Sequence, residues 1–525
     1  MVIRDLSLEQ PVTNESATFC VVGAGVAGLL LATRLARSKR RVIVLESGSM
    51  RFDPEIHALN EIDDPAGRYT RAMTGRYRGL GGSSTRWGGR MIPLSDGDSG
   101  DRPYLEQPGW PISGKIFQSY DRELEALFSL THDPYDELES VDTGLPPGND
   151  EDFRARWAKC PTFKRCNIAA VLGDELRLNR YLTVWLNATV NGFDLDAEGG
   201  RLVALQARSL TGQKIVVRAE QFAIAAGTIE STRLLLMLNE ASDRHAFART
   251  NALGCYFQDH LKAEVAVVDR QRPDLTNHLL GYRFVGGTRR DLHLELSPVA
   301  QQSDRVSSAF VYVAMDLSSS GLEAIRNFAR GLQQQKLELK ELGRAMKDVP
   351  LLASGAFWRL WNKQLFVPRG VNFRLMTAIE QLPHRDNRIT LSEKKDRLGA
   401  PIARFHWAPR ATEERVFRST VNRLQHYWHR SGLGSLCPLV LAPAAADPLG
   451  SIIDKAEPCA HPSGSARMGG DSTTSVVRAD LRCHAVPNLA IASAAVFPTA
   501  GSANPTFTIM KLALWLADSY LKTFA

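Results

Sequence analysis

The sequence lacks the features that mark several large classes of protein. Its seven cysteines are scattered over 525 residues and include no CxxC pair, so we expect neither a disulfide framework nor a structural metal site. No apolar run reaches the roughly 18 residues of a membrane-spanning helix. Residues 1–18 carry charges and Pro11 but no apolar signal core. These absences predict a cytoplasmic protein with no spanning segment and no bound metal.

Signals of nucleic-acid binding are also missing. The net charge of +7 is a mild excess for a chain of this length. We find no zinc-finger spacing, no RNP-like aromatic strand and no long basic tail. The excess fits an anionic cofactor as well as it fits nucleic acid. Hydrophobic residues at 44 % and charged residues at 23 % are ordinary for a globular protein, and the length predicts two or three domains.

What the sequence does contain is a nucleotide-binding pattern near its start. Phe19–Val22 predicts a short buried strand, and the glycine turn Gly23–Gly28 follows at once. Apolar residues at helical spacing continue from Leu29 to Arg37, and a second buried strand, Val42–Leu45, ends in Glu46. Strand, turn, helix and strand in this order predict a right-handed βαβ unit.

Each glycine of this turn has a physical task in holding a dinucleotide. Gly23 permits the tight turn, Gly25 lets the backbone approach a pyrophosphate, and Gly28 lets helix and strand pack closely. The pyrophosphate then lies at a helix amino terminus, where unpaired N–H groups and the helix dipole favour negative charge. Glu46 can accept hydrogen bonds from ribose hydroxyls. The unit predicts a dinucleotide site but does not decide between FAD and NAD.

The remaining chain alternates between nucleotide-type and sheet-like segments. Further pieces of the nucleotide-binding fold are predicted as strands over 181–194, 202–209 and 221–226 and as helices over 233–238 and 513–521. Alternating apolar residues, typical of an antiparallel sheet, occupy 251–278, 292–316, 372–378 and 403–407. We therefore expect an α/β fold, α+β overall, in which a Rossmann-like domain carries an inserted antiparallel-sheet domain with helices.

The two predicted domains are both discontinuous in sequence. The cofactor-binding domain is assigned residues 1–105, 155–250 and 455–525, and the substrate-binding domain residues 106–154 and 251–454. Within the second domain, residues 321–370 are predicted to be mostly helical, with nine Lys/Arg against four Asp/Glu. We interpret this stretch as a solvated helical insertion; the alternative is a docking face for a partner or a membrane surface.

Several segments together resemble the glucose–methanol–choline (GMC) oxidoreductase family. They are Glu46–Gly48, Arg78–Arg90 (RGLGGSSTRWGGR), Ala223–Leu236 (AIAAGTIESTRLLL) and the carboxy-terminal block Pro458–Leu521. They occur in the order of the family and cover the chain from near residue 19 to near residue 521. The resemblance implies an FAD-dependent enzyme that oxidises an alcohol, a CH–OH group, of a small molecule.

Two further motifs resemble the branch of the family that includes pyranose oxidase and related sugar dehydrogenases. One is Gly109–Ser113 (GWPIS), with Tyr120 and Glu123 after it. The other is Glu380-Gln381-x-Pro383, followed by Asp386-Asn387-Arg388. This branch implies a sugar, glycoside or polyol that is oxidised to a ketone or aldehyde. Glu380 and Gln381 are candidate substrate contacts, although a structural role in a strand is favoured.

The resemblance also implies the catalytic pair. The motif His461–Gly469 (HPSGSARMG) matches the family segment that begins with a histidine facing the flavin N5, and Ser465 replaces its usual Thr. Asn504-Pro505-Thr506 matches the motif that supplies the second residue. A neutral imidazole at His461 can take the alcohol proton, while Asn504 can hold the same oxygen. Without the resemblance, a loop-capping role for His461 would be favoured.

Contacts to the cofactor follow from the same comparison. The resemblance places backbone N–H groups of two alanines at the pyrophosphate, a helix start beside the flavin pyrimidine ring, and backbone contacts at the adenine. An alternative for each is a plain loop. In chain order the residues concerned are Gly82 and Ser83, Thr189 and Val190, Ala494 and Ala495, and Pro505 and Thr506.

One departure from the family bears on the cofactor linkage. Some members bond FAD covalently through a histidine of a GGxSxH segment, and Arg86 stands at that position in Gly81–Trp87. A guanidinium does not readily form that bond, so we expect non-covalent FAD.

Other functions remain open at this point. They are a flavin monooxygenase, a non-redox lyase on the same scaffold, and a degenerate flavoprotein that binds a partner. The electron acceptor is oxygen, a quinone or a redox partner protein, and the sequence has no haem CxxCH motif.

Overall fold

A computed structural model describes residues 3–136, 150–196, 198, 200–317, 321–346 and 349–523. Parts of the predicted domain segments, including residues 137–149, and two residues of segment 321–370, 347 and 348, lie outside this range. Among the helices of the described part, none is long and apolar enough to cross a membrane.

The described residues form nineteen strands. They are β1 Ile3–Asp5, β2 Val12–Val22, β3 Val42–Leu45, β4 Ile62–Asp63, β5 Phe153–Cys160, β6 Leu182–Leu186, β7 Thr189–Leu195, β8 Leu202–Arg208, β9 Lys214–Ile224, β10 Leu261–Val268, β11 Arg283–Val285, β12 Thr288–Leu296, β13 Ala309–Met315, β14 Phe373–Ile379, β15 Arg388–Lys395, β16 Pro401–His406, β17 Leu439–Leu441, β18 Glu457–Pro458 and β19 Leu489–Ile491.

Eighteen α-helices accompany them in the same range, with a few shorter helical turns. They are α1 Val26–Arg37, α2 Pro54–Ala58, α3 Asp96–Ser99, α4 Gly114–Gln118, α5 Asp121–Leu127, α6 Phe163–Cys166, α7 Ile168–Val171, α8 Gly173–Leu178, α9 Gly227–Ala241, α10 Pro273–Leu280, α11 Pro298–Asp304, α12 Leu322–Gln333, α13 Leu339–Ala345, α14 Val349–Phe357, α15 Ala411–Arg430, α16 Leu433–Leu436, α17 Pro443–Ala446 and α18 Pro505–Thr523.

The first sheet is mainly parallel and has the order β1-β6-β3-β2-β9-β8-β7, with β19 also paired to β9. Strands β1, β6, β3, β2, β9 and β19 run parallel to one another. Strand β8 is antiparallel to β9, and β7 is antiparallel to β8. All four residues of β3 are buried, as expected for a strand covered on both faces. Helix α18, from the end of the chain, packs against α1, from its start. The Rossmann-like core predicted from residues 19–46 is therefore completed by the last helix.

The second sheet is antiparallel throughout and has the order β11-β12-β13-β14-β10-β17, with β5 added beside β12 and β18 beside β10. Helix α15 covers β13 and β14 and buries Phe417, Leu424 and Tyr427 against this sheet. A third, small sheet joins β15, β16 and β4. The α/β fold class with an inserted antiparallel sheet is confirmed.

The predicted sheet segments contain helices that alternation did not reveal. Helix α10 begins inside 251–278 and runs two residues past its end, and α11 lies inside 292–316. Each begins with a proline at its first position, Pro273 and Pro298. Proline suits that position because its missing N–H would be unpaired there in any case. The helix predicted over 233–238 extends over Gly227–Ala241.

Two stretches pack with a different sheet from the one expected for their predicted domain. Trp110, Phe117 and Leu124 pack into the core of the first sheet, although residues 106–154 are predicted to belong to the substrate domain. Strand β5 pairs along its whole length with β12 of the second sheet, although residues from 155 onward are assigned to the cofactor domain. The division into two domains stays a prediction.

Candidate functional site

A long cleft opens at the carboxyl ends of the parallel strands. The residues that directly follow β2, β3, β9 and β19 line it: Gly23, Glu46, Ala225 and Ala492. Its empty space, including the part open to solvent, is about 1330 Å³. Open parallel sheets bind their ligands at this edge, so the cleft is the expected position for a dinucleotide.

The glycine turn between β2 and α1 forms one wall of the cleft. Gly23 has a φ of +100°, and a Cβ at this position would lie 2.7 Å from the Ala225 carbonyl oxygen. A Cβ on Gly28 would lie 1.9 Å from the Gly23 carbonyl oxygen, so α1 packs directly on the turn. A Cβ on Gly25 would meet no atom within 4 Å, and Gly25 lines the cleft. The turn therefore leaves room for a ligand at the amino terminus of α1.

Glu46 ties the neighbouring loops together. Its Oε2 accepts a hydrogen bond from the Ala24 N–H at 2.7 Å, and its Oε1 accepts bonds from the Gly48 and Gly79 N–H groups, each at 2.9 Å. Burial raises the pKa of the carboxyl group. Glu46 also lines the cleft, so it braces the glycine turn, and its contact with a ribose stays a prediction.

A second glycine-rich segment meets the first. Gly82 has a φ of +55°, and a Cβ there would lie 2.9 Å from the Gly25 Cα. Gly82 and Ser83 line the cleft. Arg86 is exposed and lies over the rings of Phe52 and Tyr77, at 4.9 and 4.5 Å from their centroids. The guanidinium is thus engaged with aromatic rings and is not part of the wall.

The other predicted cofactor contacts fall almost entirely on this wall. Thr189, Val190, Ala494, Pro505 and Thr506 line the cleft, the last two at the start of α18. Ala495 is fully buried and does not reach the wall. Segments from the start, the middle and the end of the chain therefore surround one space.

His461 lines the same cleft and takes part in a chain of hydrogen bonds. Its Nδ1 lies 2.9 Å from Nδ1 of His260, and Nε2 of His260 lies 2.7 Å from the Gly501 carbonyl oxygen. A carbonyl only accepts, so His260 must carry its proton on Nε2 and accept at Nδ1. The proton of neutral His461 is then on Nδ1. Its Nε2 is therefore unprotonated and can accept a hydrogen bond.

Burial keeps both imidazoles neutral. It lowers the pKa of His461 well below 6.5, and the neighbouring His260 lowers it further. Burial also lowers the pKa of His260, against the opposing effect of the Gly501 carbonyl. At neutral pH the Nε2 of His461 is therefore an unprotonated base.

Asn504 lies next to this nitrogen. Its Nδ2 is 3.4 Å from Nε2 of His461, and its Oδ1 is buried without a hydrogen-bond partner among the described residues. Buried polar atoms are rarely left unpaired. The unpartnered oxygen, on an amide that makes one long contact with the imidazole, marks a place that suits a hydrogen-bonding ligand.

A buried ion pair supports the carbonyl that fixes His260. Arg102 donates to both oxygens of Glu380 at 2.6 and 2.9 Å, and Glu380 accepts from the Gly501 N–H at 2.9 Å. Gln381 accepts from the Trp407 indole N–H at 2.8 Å. Glu380 and Gln381 are both fully buried, so the structural role favoured for them from the sequence agrees with their contacts.

Two neighbours of His461 were not singled out from the sequence. The Asp259 carboxyl accepts from the His461 backbone N–H at 2.8 Å and from the Tyr69 hydroxyl at 2.7 Å, and burial raises its pKa to about 7. His260 follows it directly. The adjacent Asp-His pair just before an alternating strand was the available signal, but the 201 residues between His260 and His461 conceal their contact.

Comparison with protein families decides the broader identity. Residues 383–513, which include His461 and Asn504, match the model described as GMC oxidoreductase. The carboxy-terminal part of the chain, which carries the candidate site, is thus similar to the GMC oxidoreductases. Residues 21–50 match a model described as an NAD(P)-binding Rossmann-like domain. The family prediction made from the motifs is confirmed, whereas the resemblance to the pyranose oxidase branch stays a prediction.

Two curated relatives of the chain are enzymes. It is 24 % identical to the 2-methyl-1,2-propanediol dehydrogenase of Mycolicibacterium austroafricanum, over 96 % of this chain and 95 % of that protein. It is 29 % identical to the paromamine 6'-oxidase of Streptomyces fradiae, over 27 % of this chain and 24 % of that protein. The prediction of an FAD-dependent oxidoreductase that acts on CH–OH groups is confirmed.

Solved structures share its fold. The pyridoxine 4-oxidase of Mesorbium loti superposes with a TM-score of 0.58 at 18 % identity, covering 96 % of this chain and 99 % of that one. A formate oxidase variant from Aspergillus oryzae RIB40, studied for FAD modification, gives a TM-score of 0.58 at 14 % identity, covering 97 % and 99 %. Both comparisons support the architecture over nearly the whole chain.

Proposed function

We propose that this flavoenzyme oxidises one hydroxyl of a sugar, glycoside or polyol to a ketone or aldehyde, with His461 as the base and non-covalent FAD as the hydride acceptor. The observation that carries the proposal is the unprotonated Nε2 of His461 at the wall of the cleft, with the Asn504 amide 3.4 Å away and its Oδ1 unpartnered among the described residues.

The cleft fits FAD by the chemistry of its wall. The open space at Gly25 and the unpaired N–H groups at the start of α1 suit a pyrophosphate. Pro505 and Thr506 place the start of α18 at the wall near His461, where a helix amino terminus favours developing negative charge. When bound, FAD supplies at N5 the acceptor for the hydride of the alcohol carbon.

His461 removes the hydroxyl proton. An alcohol is a poor hydride donor while its oxygen holds a proton, and the Nε2 lone pair accepts that proton because both imidazoles are neutral. Such a base contributes roughly a hundred- to ten-thousand-fold in rate. Asn504 Nδ2 lies 3.4 Å from Nε2, so an alcohol oxygen that approaches Nε2 can replace this long contact, accept from Nδ2 and be fixed against the base.

His260 is a positioning residue in this scheme. It does not face the substrate, but by accepting from His461 Nδ1 it holds the tautomer whose Nε2 is basic. If His260 were lost, the proton could occupy either nitrogen of His461, and the base would be correctly placed only part of the time.

The Oδ1 atom of Asn504 favours a substrate with more than one hydroxyl. Once Asn504 Nδ2 holds the reacting oxygen, Oδ1 of the same amide still lacks a donor among the described residues. A neighbouring hydroxyl of the substrate would supply one. A relative that covers nearly the whole chain is named for a 1,2-diol, which supports the same class.

The deciding experiment compares flavin absorption before and after substrate is added without oxygen. A diol, a polyol and a sugar should bleach the flavin faster than the mono-alcohol of the same carbon skeleton. Equal bleaching by the mono-alcohols would refute the role of Asn504 Oδ1. Turnover without bleaching would favour the lyase alternative, and NADPH consumption with an aromatic substrate the monooxygenase. Admitting air afterwards separates an oxidase from a dehydrogenase by the rate of recolouring.

The linkage to FAD has a separate test. Because Arg86 stands where a linking histidine is expected and is stacked on Phe52 and Tyr77, acid precipitation should release all of the flavin into solution. Flavin that remains in the pellet would contradict the non-covalent proposal.

A further inference from the structure

Residues 321–370, here called the basic segment, expose side chains in a way that the rest of the chain does not. Among the described residues, seventeen large hydrophobic side chains are exposed, and nine of them lie between Leu332 and Trp361. The basic segment carries nine Lys/Arg and four Asp/Glu, a net charge of +5, while the whole chain has a net charge of +7. Apolar and cationic surface are concentrated in the same short stretch.

Helix α13 carries both kinds of exposed side chain. Leu339, Leu342 and Met346 follow one another at helical spacing and are 63, 37 and 63 % exposed. On an α-helix, residues at i, i+3 and i+7 form one stripe. This apolar stripe faces outward, whereas in a globular protein it would normally face the core. Lys340 and Arg344 are exposed on another side of the same helix, where Arg344 pairs with Glu341 at 2.9 Å.

The end of the basic segment adds aromatic surface. Phe357 and Trp361 are 52 and 73 % exposed, and their rings stack on each other with centroids 5.4 Å apart. Leu360 between them is also exposed, and Lys363 follows. Exposed Trp and Phe beside lysines are the composition of helices that lie in the interface between lipid headgroups and acyl chains.

We propose that the basic segment docks this enzyme on the surface of an anionic lipid bilayer. Apolar side chains enter the headgroup region, and the neighbouring Lys and Arg side chains meet anionic headgroups. An apolar stripe alone would suit a protein partner, but the excess of Lys and Arg over Asp and Glu in the same segment complements a surface of uniform negative charge. The proposal is independent of the catalytic assignment.

The basic segment is hydrogen-bonded to the wall of the cofactor cleft at the end of α12. Gln333, the last residue of α12, is buried, and its amide donates to the carbonyls of Ser84 and Trp87 at 2.9 and 3.0 Å. Ser84 and Trp87 both line the cleft. The docking surface therefore belongs to the folded body of the enzyme and is not a detached appendage.

The test is co-sedimentation of the purified holoenzyme with vesicles. Phosphatidylcholine vesicles are compared with vesicles of phosphatidylcholine mixed with phosphatidylglycerol, and the protein is measured by its flavin absorption. We expect binding to the anionic vesicles that weakens as salt is added. Equal binding to both vesicle types, or none to either, would overturn the proposal.

Two variants separate the charged from the apolar contribution. Lys336→Gln/Lys340→Gln/Lys363→Gln should weaken binding by about fivefold per lysine, or about a hundredfold in total. Phe357→Ser/Trp361→Ser should weaken binding in a manner that salt does not mimic. Matched controls are Lys39→Gln/Lys214→Gln/Lys395→Gln and Leu449→Ser, which change equally exposed residues elsewhere and should bind as the wild type does.

A second copy of the chain is the competing occupant. If the surface joined two copies, the apolar variant would lower the mass measured by light scattering in the absence of lipid, and vesicle binding would be unaffected. That result would overturn the lipid proposal. Substrate-dependent bleaching of the flavin in each variant shows that the enzyme is folded, so failure of docking is distinguishable from failure of the catalytic assignment.

Discussion

The cofactor cleft and the basic segment are built on opposite plans. At the cleft, polar groups are drawn into the interior, and most are paired: Glu46 accepts three backbone N–H groups, and His461 and His260 share one hydrogen bond, while Asn504 Oδ1 lacks a partner among the described residues. In the basic segment, apolar groups are exposed, such as Leu339 and Trp361. Each arrangement is unfavourable in isolation. Buried polar groups in one region and exposed apolar groups in the other both depart from the usual distribution of residues, and both indicate a function.

The largest effect should come from replacing His461, the proposed catalytic base. His461→Ala removes the acceptor for the alcohol proton, and kcat should fall roughly a hundred- to ten-thousand-fold. FAD content, read from the visible spectrum, should be unchanged because the glycine turn is untouched. His484→Ala is the control, since His484 contacts Ser475 and Gly469 instead of the chain through His260. A His461 variant with full turnover would remove the proposed mechanism.

The next effect tests the positioning role of His260 through pH. Catalysis needs neutral His461, so kcat/KM should stay constant as pH falls and decline only below pH 6.5, because burial lowers the pKa of His461. His260 also lowers that pKa. His260→Ala should therefore move the acid limb to higher pH as well as reduce the rate. A lower rate with an unmoved acid limb would indicate a purely structural role.

A smaller effect contrasts two glycines of one turn. Gly28→Ala places a Cβ against the Gly23 carbonyl and should lower the free energy of unfolding by about 1–3 kcal/mol, measured by denaturant titration. Gly25→Ala meets no protein atom within 4 Å and should leave stability unchanged while weakening FAD binding. If Gly25→Ala bound FAD normally, the pyrophosphate would not lie at this turn.

The smallest effect lies in the basic segment. Gly343 is inside α13, and a Cβ there would meet no atom within 4 Å. Gly343→Ala should therefore stabilise the helix by about 0.5–1 kcal/mol through its helix propensity, without a change in flavin spectrum. Thermal unfolding measures this gain. Destabilisation would mean that α13 is not packed as described and would weaken the comparison between the two regions.

The sequence predicted most where a function depends on local backbone conformation. The turn Gly23–Gly28 and strand β3 are readable because their spacing is short, whereas His461 and Asn504 were singled out only through motifs that resemble the GMC family. His260 was missed because its role arises from contacts with His461 and Gly501, both more than 200 residues away in sequence. The pairing of β5 with β12 was missed for the same reason.

Helices α10 and α11 teach a different lesson. Their short apolar runs fit alternation as well as helical spacing, and the prolines at their first positions, Pro273 and Pro298, were the better guide. Alternation over a few residues does not separate a strand from a short helix.

The residues that line the cleft come from distant parts of the chain, and this limits when the cofactor can be enclosed. Gly25 is made early, but His461, Ala494 and Thr506 of the same wall come within the last part of the chain. Since α18 also packs on α1, the first βα unit stays partly uncovered until α18 has been synthesised and has folded against it. FAD therefore cannot be fully enclosed before α18 is in place.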